Sequence, residues 1–144
     1  MKYYADTSFI LSLYIQQDNS KIAVGFLLHH KISLLFTSLN RHEFRNAVRL
    51  CVFRRQITGK EAVSVLNLLE EDLKAGVFLS ANVPWSLAFN IAEELSEKHT
   101  ESMGIRGMDI LHVAVARSLD VAEFLTFDIR QKDLAEKAGL KVRP

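Results

Sequence analysis

The sequence has few cysteines, no long apolar run and almost no net charge, and each shortage excludes a class of protein. Cys51 is the only cysteine among 144 residues, which excludes an internal disulfide and a cysteine-based zinc cage and favours a reducing cytosol. No apolar run approaches the roughly 20 residues that span a bilayer, and no signal-peptide cleavage pattern follows the N-terminus. We therefore expect a cytoplasmic protein that does not contact a membrane.

The net charge and the length of the chain indicate how it could bind a polyanion and how many domains it has. Lysine and arginine number 18 against 17 acids, a net charge of +1, so the chain has no global field that would attract a polyanion, and any such contact has to come from local clusters. A hydrophobic fraction of 49% over 144 residues fits one compact core. No stretch has the composition of a linker, so we expect a single domain over residues 1–144.

The chain does contain a regular alternation of short apolar strands with helices. Strands are predicted at 2–5, 32–37, 77–79, 123–125 and 140–142, and helices at 9–15, 21–30, 40–55, 59–75, 84–99, 109–116 and 129–138. Residues 100–107 are predicted to be the longest irregular loop. This alternation is typical of a short parallel sheet covered by helices on both faces, which is a three-layer α/β/α fold.

Four acids occupy equivalent places in this pattern. Asp6 and Asp128 follow strands, while Glu43 and Asp109 are predicted in the first turns of helices. Ligands of parallel α/β sheets bind beyond the carboxyl ends of the strands, so the four carboxylates should face one edge. An aspartate followed by hydroxyl residues, as Asp6 is by Thr7 and Ser8, also suits an ordinary cap or turn. For Asp6 taken alone, both interpretations stay open.

Carboxylates gathered at one edge repel one another and raise each other's pKa, and divalent cations relieve the repulsion. Oxygen ligands without cysteine or paired histidines favour Mg²⁺ or Mn²⁺. The chemistry that such ions support is attack of water on a phosphodiester. Thr126 and Ser8 place hydroxyls beside two of the acids and could orient carboxylates or waters. His112 is predicted to be a hydrogen-bonded structural residue, because no second histidine shares its helix face.

Three motifs carry a resemblance to a known family. They read YADTSFIL at 4–11, RGMDILHVA at 106–114 and FLTFDIRQ at 124–131, and the run AGL follows at 138–140. With Glu43 between the first two, they resemble the PIN domain, and more narrowly the VapC-type toxins of type II toxin–antitoxin pairs. The resemblance covers nearly the whole chain. Glu43 matches mainly by position, because its flanking run NRHEFR at 40–45 departs from the family pattern.

The resemblance implies an α/β/α domain with a parallel sheet and a Mg²⁺- or Mn²⁺-dependent ribonuclease that cuts structured RNA such as tRNA or rRNA. It implies Asp6 and Asp109 as the principal metal ligands, with Glu43 and Asp128 completing the acidic site. It also implies a homodimer that a small cognate antitoxin inhibits.

Two other functions fit parts of the pattern. A PIN-like module that binds RNA or protein without cleaving is one alternative, against which the full set of acids argues. A phosphoryl-transfer domain is the other, because receivers and haloacid-dehalogenase phosphatases also have an aspartate after the first strand. The phosphatase pattern requires a second aspartate where Ser8 stands, and a receiver requires a lysine after a late strand, where Thr126-Phe127-Asp128 has none. No glycine-rich phosphate loop is present.

Overall fold

A computed structural model describes all residues from Met1 to Pro144. Short strands alternate with helices along the chain, as the sequence predicts. The strands are β1 (Tyr3–Ala5), β2 (Leu34–Phe36), β3 (Phe78–Ser80), β4 (Glu123–Leu125) and β5 (Lys141–Arg143). The helices are α1 (Thr7–Ser12), α2 (Ser20–His30), α3 (Ser38–Phe53), α4 (Gly59–Lys74), α5 (Trp85–Met103), α6 (Gly107–Ser118) and α7 (Ile129–Lys137).

The strands form a parallel five-stranded sheet flanked by helices, which confirms the predicted α/β fold. Their order is β3-β2-β1-β4-β5, so the chain moves from β1 to β2 and β3 and then returns to β4 on the opposite side of β1. The strand order thus reverses between β1 and β4. In open α/β sheets, ligands bind in the crevice outside the carboxyl ends of the strands at this switch point.

The chain divides into two compact units, one made of residues 1–6 and 82–144 and the other of residues 7–81. In the first unit, β1 pairs with β4 and β4 with β5, with Ala5 opposite Leu125. Tyr4 and Phe124 are fully buried with their rings stacked 6.0 Å apart. Helix α6 packs on α5 and buries most of its residues from Ile110 onward. This unit supplies the carboxyl ends of both strands at the switch point.

In the second unit, β2 pairs with β3, and α3 packs against both α1 and α4. Its core contains the fully buried Phe9, Phe44 and Val48. Cys51 is buried on α3, where it is a small residue of the core. No helix of the structure combines the length and the apolar character that crossing a membrane requires.

The largest errors in the predicted boundaries concern the ends of α5 and α1. Helix α5 continues to Met103 and is ended by Gly104 in the left-handed region, at φ 63°, so the predicted loop at 100–107 shrinks to residues 104–106. The predicted loop is too long because the polar residues at 100–102 form the solvent-facing end of this helix. Helix α1 starts at Thr7 and ends at Ser12, whose hydroxyl donates to the carbonyl of Phe9 (2.6 Å). A serine bonded to the preceding turn competes with continuation of a helix.

Candidate active site

Asp6 lies directly after β1, at the carboxyl end of the strand where the sheet order reverses. Its backbone N–H donates to the carbonyl of Leu125 (3.1 Å), so the β1–β4 ladder extends as far as Asp6. Its side chain is only 6% exposed, and its Oδ2 accepts a hydrogen bond from the Thr126 hydroxyl (2.8 Å). The acid is therefore fixed in position by its neighbour strand through both its backbone and its carboxylate.

Thr126 and Gln131 form a buried polar link around Asp6. Thr126 Oγ1 lies 2.9 Å from Gln131 Oε1 and accepts the backbone N–H of Asp128 (3.0 Å). A hydroxyl has one proton, and an ionised carboxylate is a stronger acceptor than an amide oxygen, so the Asp6 carboxylate is the favoured acceptor of that proton. Gln131, only 1% exposed, also donates from Nε2 to the backbone carbonyl of Asp109 (3.3 Å). Hydrogen bonds thus connect three of the predicted acids.

Asp109 is the third residue of α6 and is half-buried. One turn further along, the buried His112 lies with Nδ1 2.7 Å from the Tyr4 hydroxyl, and its ring contacts the Tyr4 ring. This contact confirms the prediction that His112 is a hydrogen-bonded structural residue. Because Tyr4 is on β1, the pair ties α6, which carries Asp109, to the strand that precedes Asp6.

Asp128 is exposed and is the N-cap of α7, with Oδ1 accepting the backbone N–H of Gln131 (2.9 Å). Capping satisfies a backbone donor that the helix leaves without a partner. Asp128 therefore has a local structural role in addition to its predicted place among the acids. The sequence prediction does not include Gln131, which forms the buried link between Thr126 and Asp109. A signal for it is present in the sequence, because Gln131 stands three residues after a cap, where a capping box has Glu or Gln.

Glu43 lies in the second turn of α3, so its predicted first-turn position is wrong. A reciprocal capping box between Thr37 and Asn40 starts the helix at Ser38, two residues earlier than predicted. Glu43 is half-buried, and its Oε1 accepts a hydrogen bond from the Thr7 hydroxyl (2.8 Å). Thr7 follows Asp6 directly in the chain. A hydrogen bond, rather than the helix terminus, accounts for the inward position of Glu43.

Ser8 is exposed in the first turn of α1. Of the two hydroxyl residues predicted to support the acids, the structure gives Thr126 a contact with the Asp6 carboxylate. The hydroxyl beside Ser8 in the sequence, that of Thr7, donates to Glu43. Ser8 stays a predicted supporting residue.

The available ligands for a metal are oxygen atoms. The predicted ligands in the first unit are the carboxylates of Asp6, Asp109 and Asp128, and the one cysteine is in the core of the second unit. No group of three or more His, Cys, Asp or Glu side chains that could hold a metal ion comes together in the structure. Mg²⁺ usually keeps several waters and binds proteins through one or two carboxylates, so an open site of this composition fits it.

We predict that Thr126→Val lowers the rate of any reaction that Asp6 supports by about tenfold, because the isosteric valine leaves the carboxylate without this hydrogen bond. The same change should cost roughly 1–3 kcal/mol of stability, since buried polar groups lose their partner. Thr126→Ser keeps the hydroxyl and is the matched control. Rate measurements and urea denaturation test both effects, and equal activity of the valine and serine variants would contradict this positioning role.

A parallel α/β sheet with a buried acid at its switch point belongs to the class of open α/β domains, whose ligands bind beyond the carboxyl ends of the strands. Residues 3–137 match the family model described as PIN domain, so the chain belongs to the PIN domain family. Comparison with curated proteins gives no significant match.

Three solved structures illustrate the likeness of fold. VapC20 of Mycobacterium tuberculosis, a sarcin-ricin loop cleaving toxin, has a TM-score of 0.67 and 20% identity, covering 99% of this chain and 100% of that one. VapBC2 of Rickettsia felis, solved with a promoter DNA fragment, has a TM-score of 0.66 and 18% identity, and the match covers 99% of this chain and 98% of that one. FitAcB of Neisseria gonorrhoeae has a TM-score of 0.63 and 20% identity, and the match covers 99% of this chain and 96% of that one.

Proposed function

We propose that this protein is a metal-dependent endoribonuclease. The observation that carries the proposal is the placement of Asp6, which is buried at the switch point of a PIN-domain sheet and held there by Thr126. The same polar link reaches the backbone of Asp109 and the cap residue Asp128. Burying a carboxylate without a partner costs free energy, and binding a cation together with its substrate would offset that cost for Asp6.

Asp6 and Asp109 are the proposed ligands, and Mg²⁺ or Mn²⁺ the proposed ion, because the donors are carboxylate oxygens. When bound, such an ion lowers the pKa of water and offsets negative charge that develops on the phosphate. Thr126 fixes the orientation of the Asp6 carboxylate. We propose Asp128 and Glu43 as the remaining acids of the site. Glu43 accepts a hydrogen bond from Thr7, which follows Asp6 in the chain, and one of the acids would orient the attacking water.

The proposed substrate is structured RNA such as tRNA or rRNA, and the proposed biological role is that of a toxin in a type II toxin–antitoxin pair. Support comes from membership of the PIN family and from similarity in fold to VapC20, which is described as a sarcin-ricin loop cleaving toxin. A small cognate antitoxin, a homodimeric assembly and a cytoplasmic location belong to the same proposal. A short neighbouring reading frame that encodes a DNA-binding protein would support the pairing.

A PIN module that binds RNA or protein without cleaving it stays the alternative. The two functions differ in one property, because only the nuclease needs an ion for turnover. If the purified protein bound RNA tightly but left it intact under every metal condition, the binding module would be the better description.

The direct test of the proposal is cleavage of total tRNA with and without a chelator. We expect discrete fragments in Mg²⁺ or Mn²⁺, and a loss of at least about a hundredfold in rate with excess EDTA, since the ion contributes several kcal/mol to the transition state. Adding back either ion after EDTA should restore the rate. Cleavage at an undiminished rate in EDTA would exclude the metal mechanism.

A further inference from the structure

Positive charge is concentrated in one part of the chain. Between Glu43 and Glu61 there are five arginines and lysines and no acid, although the whole chain has a net charge of only +1. The rest of the chain therefore carries a net charge of −4. This segment is the end of α3, the turn after it and the start of α4.

The cations of this segment fall into two groups. Arg45, with Arg41 before it, pairs with Glu70 of α4 at 3.2 and 2.6 Å, so these two hold the helices together. The other four form no ion pair and are exposed, and they are Arg49, Arg54, Arg55 and Lys60. Four cations without carboxylate partners are available to bind an anion.

An exposed aromatic ring lies among these cations. Phe53 is the last residue of α3 and is 82% exposed, whereas Phe44 on the same helix is fully buried. The turn around Phe53 is well defined. Arg54 caps α3 by donating its backbone N–H to Leu50, and a capping box at Thr58 starts α4. We call the four unpaired cations together with Phe53 the basic tip.

We propose that the basic tip binds a single-stranded segment of the RNA substrate, with Phe53 stacking on a base and the arginines and Lys60 contacting phosphates. An exposed aromatic residue surrounded by cations is the combination that binds single-stranded nucleic acid, because every base has a π-face and every linkage has a charge. This inference rests on the proposed function. It adds a binding surface about 15 Å along α3 from Glu43, from ten residues at 1.5 Å each.

Binding of a short fluorescein-labelled oligouridylate to the full-length protein tests the basic tip, with EDTA present so that the RNA stays intact. Phe53→Leu keeps an apolar side chain but removes the ring, and should weaken binding about tenfold, whereas Phe53→Tyr should bind like the wild type. The Arg54→Gln, Arg55→Gln double variant should make the slope of log K against log salt less negative by about 1.4, at roughly 0.7 per lost contact with a single strand. Lys21→Gln, an exposed cation on α2, is the control and should change neither quantity.

Cleavage assays separate this inference from the proposed function. If both hold, Phe53→Leu raises KM and leaves kcat unchanged. If the wild type cleaves RNA and Phe53→Leu has an unaltered KM and affinity, the tip inference is wrong and the nuclease stands. A changed sedimentation coefficient with unaltered RNA affinity would instead assign the tip to a protein interface. A wild type that neither binds nor cleaves RNA would overturn both.

Discussion

Replacing Asp6 or Asp109 by asparagine is expected to reduce metal-dependent RNA cleavage by about a hundredfold or more. An amide oxygen is a weaker ligand for a hard cation than a carboxylate, and loss of a ligand removes several kcal/mol of charge stabilisation, at about 1.4 kcal/mol per tenfold in rate. The effect should shrink when the metal concentration is raised, because the variants bind the ion more weakly. Initial rates over a range of Mg²⁺ and Mn²⁺ concentrations measure both features.

The folded state should survive these substitutions. Asparagine has nearly the shape of aspartate, and its carbonyl oxygen can accept the Thr126 hydroxyl as Asp6 Oδ2 does. The matched control is Asp120→Asn, which removes the same charge from an exposed residue at φ 52°, where asparagine is well tolerated. Full activity in Asp6→Asn and Asp109→Asn, with melting curves unchanged, would show that the nuclease is a contaminant.

Phe44→Ala is expected to destabilise the protein by about 3–5 kcal/mol, because the side chain is fully buried and its removal leaves a cavity. Phe44 packs edge-on against Tyr14, with ring centroids 5.3 Å apart. Tyr14 in turn donates its hydroxyl to Asp72 (2.5 Å). Burial, with the hydrogen bond and the negative charge of Asp72, raises the pKa of Tyr14 far above its ordinary value, so the hydroxyl keeps its proton. The cavity would thus loosen a part-buried contact that joins the turn after α1 to α3 and α4.

Phe53→Ala provides the control for that experiment, since it makes the same substitution on the same helix at a residue that is 82% exposed. It should change stability by less than about 0.5 kcal/mol. Thermal and urea denaturation followed by circular dichroism compare the two, and we expect Phe44→Ala to melt roughly 10 °C lower. Equal destabilisation by the two variants would mean that burial in this core is not what stabilises α3.

The strand–acid and acid–helix patterns could be predicted because they are local. Asp6 follows a short apolar run, Asp109 precedes a long one, and Asp128 stands between a strand and a helix, so neighbouring residues alone indicate where these acids lie. The predicted turn for Glu43 is wrong because the Thr37–Asn40 capping box starts α3 at Ser38. This error therefore comes from a single capping box, which is itself a local feature of the sequence.

Contacts between distant segments could not be predicted in this way. The Thr126 hydroxyl lies 2.8 Å from Asp6 although 120 residues separate them, because β1 and β4 are neighbours in the sheet. Gln131 is buried because it bridges Thr126 and the backbone of Asp109. Local spacing marks Thr126 as a supporting hydroxyl and Gln131 as a capping position, but it does not indicate the distant partner that either residue contacts.

By itself the sequence determined the alternating elements, the parallel α/β class and three strand-edge or first-turn acids, all of which depend on residues a few positions apart. The tertiary structure alone decided the strand order, with its switch point between β1 and β4, and the hydrogen bonds that hold Asp6. It also divided the cations of α3 into those that Glu70 neutralises and those left for a ligand. The physical reason is that pairing and burial depend on which surfaces meet after the chain has folded.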